Sequence, residues 1–165
     1  MQFNIAAHDL AGLLSSKLCH DLISPVGAIN NGLELLDEGG ADADAMNLIR
    51  NSARTASARL QFARIAYGAA GSAAVQIDTG DAKAVANAFM MGEKAELTWE
   101  GARFFLPKNK VKLLLNLLLI ANGSIPRGGS LAVTVEGDES NPSFTLKTSG
   151  PMLRVPPRRD ARASP

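Results

Sequence analysis

The stretch LAGLLSSKLCHDLISPVGAINNGLELL, from Leu10 to Leu36, decides the fold. Its apolar residues Leu10, Leu14, Leu18, Leu22, Val26, Ile29, Leu33 and Leu36 recur in steps of three and four. That spacing marks one stripe of a helix. The pattern predicts a helix over 6–37, longer than the average globular helix. A long helix with a narrow apolar seam belongs in a bundle, because alone it buries little.

Gly39-Gly40 interrupts the pattern, as expected where a helix ends. A second helical pattern follows over 41–67, through Met46, Ile49, Ala53, Ala56, Leu60, Ala63 and Tyr67. Its seam is rich in alanine, which lets helices approach closely. The two helices read as an antiparallel hairpin. A second copy, giving a dimeric four-helix bundle, is the natural way to cover it.

Beyond Gly68 the periodicity changes. Val75–Ile77, Leu97–Trp99, Ser130–Val135 and Ser143–Lys147 read as short strands. Asp81–Met91 and Lys108–Ala121 read as helices. The fold class is therefore α+β: a helical hairpin over 1–68, a linker near 69–73, and a small α+β unit over 72–165. The stretch from Pro151 to Pro165 holds four prolines and four arginines, and reads as a tail or loop.

Composition narrows the function. Among 165 residues, 17 Lys+Arg stand against 16 Asp+Glu, a net charge of +1. There is no basic field for nucleic acid. Aromatics are 5%, too few for a stacking platform. Cys19 is the only cysteine, so no internal disulfide or zinc cluster forms. The start MQFNIAAHDL has no signal-peptide pattern. The most apolar run, Val111 to Ala121, contains Lys112 and Asn116 and is too short to span a bilayer. These features predict a cytoplasmic protein without nucleic-acid or membrane partners.

Within the first helix, His20 sits about 160–200° from Leu18 and Leu22, and so faces solvent. Ser16, Ser24, Gly27 and Asn31 share its face. All are small or polar, so the imidazole stands on a low strip that a partner can approach. Most lone helix histidines are only solvated residues, and His8 reads that way. Two features distinguish His20: the strip, and Pro25 inside the helical pattern. Proline there removes an amide donor and crowds the carbonyl of residue 21, at a cost of roughly 3 kcal/mol in an ordinary helix. Imidazole titrates near pH ~6.5, so its neutral form is available as a nucleophile around neutrality. Asp21 is placed to orient the ring or assist proton transfer. Lys17, one turn earlier, is placed to offset anionic charge on the ring.

His20-Asp21-x-x-x-Pro25 resembles the H-box of histidine kinases. The longer string KLCHDLISPVGAINNGLELL is similar to that of the ChpT-type histidine phosphotransferases. The resemblance covers about residues 8–67 well and 72–150 more weakly. It implies a homodimer whose hairpins form a four-helix bundle, each followed by a degenerate kinase-ATPase-like domain. It implies that His20 carries a phosphoryl group between the receiver domain of a hybrid histidine kinase and a response regulator. His20 and Asp21 are then the catalytic pair. Ser16, Lys17, Ser24, Gly27 and Asn31 would meet the receiver.

The second half departs from the kinase pattern. Asn116 matches the first asparagine of the kinase N-box, but Ile120 stands where the second would be. Gly128-Gly129 before the strand Ser130–Val135 fits the family layout. Thr148-Ser149-Gly150-Pro151 occupies the place of an Asp-x-Gly-x-Gly motif. Without a carboxylate there and a metal-ligating amide, magnesium and nucleotide lose their ligands. No ATP use and no resident cofactor are expected, with Mg2+ arriving on the partner receiver domain. Two other readings stand beside this one: an ATP-dependent histidine kinase core, and a non-catalytic dimeric scaffold or antagonist.

Overall fold

The computed structural model describes residues 5–39, 42–68 and 75–154. The linker expected near 69–73 and most of the expected tail (155–165) lie outside the described residues. Two helices come first, α1 (Ala7–Asp37) and α2 (Asp42–Ala66). They form the hairpin that the periodicity predicts.

The hairpin interface is offset from the expected seam. On α1 the buried residues are Pro25 and Gly32, flanked by half-buried Leu14, Leu18, Leu22 and Ile29. On α2 they are Ala45, Ser52, Phe62 and Ala66. Small residues therefore line the crossing. A Cβ on Gly32 would lie 2.6 Å from Ile49 Cγ1 and 3.2 Å from the Ala45 carbonyl. Leu10, Val26 and Leu33 of the expected seam are about half exposed, as is Leu60 on α2. The apolar stripe on each helix is wider than one neighbour covers.

The remaining elements are β1 (Gln76–Asp78), α3 (Thr79–Met90), β2 (Ala95–Gly101), β3 (Phe105–Pro107), α4 (Lys108–Gly123), β4 (Gly129–Glu136) and β5 (Ser143–Ser149). The order matches the sequence reading except for β3, which is too short to show an alternation. It pairs antiparallel with β1. In the larger sheet, of order β2-β4-β5, β2 and β4 are parallel, and β4 and β5 antiparallel. The described residues are thus α+β, with four helices, one antiparallel two-stranded sheet and one mixed three-stranded sheet. Asp78 caps α3 by accepting the Gly80 amide at 2.6 Å, a terminus made by sequence-local chemistry.

One core joins the hairpin to this α+β half. Phe62 and Ala66 of α2 are buried with Ala86 and Phe89 of α3, Leu114 and Leu118 of α4, and Leu131 and Val133 of β4. The Phe62 and Phe89 rings stack with centroids 4.3 Å apart. Polar contacts reinforce the junction. Asn116 Nδ2 donates to the Ala66 carbonyl at 3.0 Å, and Lys112 Nζ to the Gly68 carbonyl at 2.6 Å. The Ala66 carbonyl ends α2 and has no amide of its own helix to accept from, and the Gly68 carbonyl lies two residues beyond. No helix among the described residues is long and apolar enough to cross a membrane.

Candidate functional site

His20 lies on the outer face of α1, and 84% of its side chain is exposed. The face around it is as expected: Ser16, Ser24 and Asn31 are exposed, and Gly27 has nothing within 4 Å of where a Cβ would be. The surface over the imidazole is therefore low and open. Ile23, one turn after His20, is 73% exposed and adds an apolar spot that the seam reading passed over. His8 is also 84% exposed and lies in the first turn beside Asp9, as a solvated residue.

Asp21 occupies the boundary between this face and α2, its side chain only 15% exposed. Its Oδ1 lies 3.3 Å from His20 Nδ1. Lys17, one turn before, donates to the same Oδ1 at 2.6 Å. Burial pulls the Asp21 pKa up. The hydrogen bonds from Lys17 and His20 and the charges of Lys17 and Arg59 outweigh it, and hold the carboxyl below its ordinary value. Asp21 thus stays an anion beside the ring. Tyr67, the residue just after α2, registers it: burial, and then the Asp21 charge, raise the phenol above its usual range.

Pro25 leaves the Asp21 carbonyl without its usual helical amide, since that amide would be its own. The helix nevertheless continues through it to Asp37. Arg59 of α2 fills the gap: its Nη1 donates to the Asp21 carbonyl at 3.0 Å. The same Nη1 lies 3.9 Å from Asp21 Oδ1. Sequence reasoning missed Arg59. The signal was present, because a buried proline within a helix implies an orphan carbonyl four residues back.

The asparagine that matches a kinase nucleotide motif has another occupation here. Asn116 donates to the Ala66 and Lys112 carbonyls, and Ile120 is 57% exposed beside it on α4.

Comparisons with known proteins meet this geometry. A family model of the histidine phosphotransferase C-terminal domain matches residues 79–162. The protein phosphotransferase ChpT of Brucella abortus (strain 2308) is 70% identical over 154 residues, spanning 93% of this chain and 74% of that protein. The chain belongs to the ChpT-type histidine phosphotransferases. A bacterial phosphotransferase solved at 1.7 Å superposes with a TM-score of 0.82 at 68% identity, over 93% of this chain and 73% of that one. The resemblance first read from the hairpin therefore extends through the second half. As a phosphotransferase of this family, the chain works in phosphorelay signalling.

Proposed function

We propose that His20 is the phosphoryl carrier, relaying the group between an aspartate on the receiver domain of a hybrid histidine kinase and one on a response regulator. The supporting observation is the ring's setting. Nδ1 lies 3.3 Å from the Asp21 carboxylate, and a proton held on Nδ1 by that carboxylate would leave the Nε2 lone pair free. In the forward step Nε2 attacks the phosphorus of an aspartyl phosphate. The N–P bond forms, the P–O bond to the receiver breaks, and the receiver carboxylate leaves. The ring becomes cationic, and the Asp21 anion next to Nδ1 offsets that charge. The return step reverses these changes. Lys17, whose amine is held on the Asp21 carboxylate, would add positive charge near the transferred group. Ser16, Ser24, Gly27 and Asn31 form the low strip that lets the receiver bring its aspartate and its Mg2+ close.

No resident cofactor and no ATP enter this scheme. Asn116, the one residue that matches a metal-ligating motif, spends its amide on the end of α2. We read the chain as two units, 1–68 for phosphotransfer and 72–165 as a degenerate kinase-ATPase-like sandwich, acting in the cytoplasm. Two copies would form a four-helix bundle. Leu10, Val26, Leu33 and Leu60 remain half exposed on the hairpin. A groove of about 480 Å³ between α1 and α2, lined by Leu14, Leu18, Leu60 and Tyr67 among others, can take side chains of a second hairpin.

The test uses a phosphorylated receiver domain. The expected result is acid-labile, base-stable label on the wild-type chain and none on His20→Gln. Label transferred to His20→Gln would reject the assignment.

A further inference from the structure

Arg59 sits where both halves of the chain meet the phosphotransfer helix. Its guanidinium is 25% exposed and held from two sides. Toward α1, Nη1 donates to the Asp21 carbonyl at 3.0 Å and lies 3.9 Å from Asp21 Oδ1. Toward the second half, Nη2 lies 3.7 Å from Glu93 Oε1, in the turn after α3. Glu93 is itself fixed, since its Oε2 accepts from Asn122 Nδ2 of α4 at 2.9 Å. The chain Asn122–Glu93–Arg59–Asp21–His20 therefore crosses from α4 to the imidazole.

Lys17 is the other cation on Asp21, but its side chain is half exposed and anchored at one end. Such a surface pair holds geometry weakly. Arg59 is planar, permanently charged, and tied at both ends, which suits it to orient a neighbour. Pro25 makes the arrangement specific. By removing its own amide it frees the Asp21 carbonyl, and the backbone of the residue beside His20 becomes the acceptor for Arg59.

We propose that Arg59 is a positioning residue for phosphotransfer. It acts through Asp21 to keep the proton on His20 Nδ1 and Nε2 free, and Glu93 extends that hold from the second half of the chain. The inference rests on His20 being the phosphoryl carrier, but its central claim concerns the tautomer and is measurable without any partner. An imidazole with no fixed neighbour distributes its proton over both nitrogens. One whose Nδ1 hydrogen-bonds an oriented carboxylate keeps it there.

The test compares Arg59→Ala, Arg59→Lys and Glu93→Gln in the full chain. Nitrogen-15 shifts of His20, taken at alkaline pH, read the tautomer ratio. Transfer from a phosphorylated receiver domain, measured across receiver concentrations, separates kcat from KM. Arg59→Ala is expected to shift the ratio toward the Nε2–H form and to lower kcat by about 10- to 100-fold, the scale of a misplaced reacting group, with KM unchanged. Arg59→Lys retains a donor for the Asp21 carbonyl and recovers part of both effects. Glu93→Gln gives a smaller change in the same direction. An unchanged tautomer ratio in Arg59→Ala, a loss confined to KM, or an Arg59→Lys variant as defective as Arg59→Ala would each overturn the proposal. Label on His20→Gln would instead defeat the carrier assignment, and the tautomer ratio would still decide the part played by Arg59.

Discussion

The residue scale turns on Asp21, where burial and charge oppose each other. Its carboxyl is held below the ordinary 3.8 because Lys17, His20 and Arg59 outweigh burial. A lowered folded pKa adds stability that is fully present above the unfolded value and is lost as pH falls through the lower, folded value. Denaturant unfolding over a pH series should therefore show the wild type losing stability more steeply below about pH 4 than Asp21→Asn. Parallel curves would mean that Asp21 is no better solvated as an anion in the fold than in the open chain. Histidine, aspartate and the small strip around them are all readable from the sequence, because they lie within one helix and 3.6-residue geometry fixes their faces. Arg59 is not readable in the same way. It lies 38 residues away on another helix, and only the hairpin register brings it to the Asp21 carbonyl.

Periodicity at the element scale found both helices but blurred which neighbour each face serves. The expected seam on α2 runs through Ala53 and Leu60, yet the residues that bury are Ala45, Ser52 and Ala66, one position to the side. An apolar count alone gives small residues little weight, and small residues are what this crossing uses. Gly32 makes the point testable. Alanine is the better helix former by about 1 kcal/mol. Here, however, its methyl would meet Ile49 Cγ1 at 2.6 Å and the Ala45 carbonyl at 3.2 Å. Overpacking costs typically about 1–3 kcal/mol, so the net sign is destabilising. Gly32→Ala should lower unfolding stability by about 1 kcal/mol, whereas Gly27→Ala, with open space above it, should raise it by up to about 1 kcal/mol. Two shifts of the same sign in chemical denaturation would contradict this reading of the helix crossing.

At the scale of the whole molecule, α2 serves two neighbours within the chain. One face packs on α1 and another enters the core of the second half through Phe62 and Ala66, where Asn116 and Lys112 cap its end. The sequence suggested a boundary after Gly68, but a change of periodicity does not reveal that a helix on one side supplies core to the other. Leu60 of α2 is left 47% exposed, and Leu10, Val26 and Leu33 of α1 are 47–48% exposed. If two copies associate as proposed, these half-exposed aliphatic side chains are the ones available to be covered. In the proposed four-helix bundle a second hairpin would cover them, and burying those side chains would contribute roughly 1 kcal/mol or more each. Val26 lies about 1.7 turns from His20 and so on a different face, and a charge there should disrupt association without touching the imidazole. Light scattering at micromolar concentration should give twice the chain mass for the wild type and the single mass for Val26→Glu, because a carboxylate in the bundle would be buried without a partner. A wild-type monomer, or a Val26→Glu dimer of undiminished affinity, would move the interface away from this face.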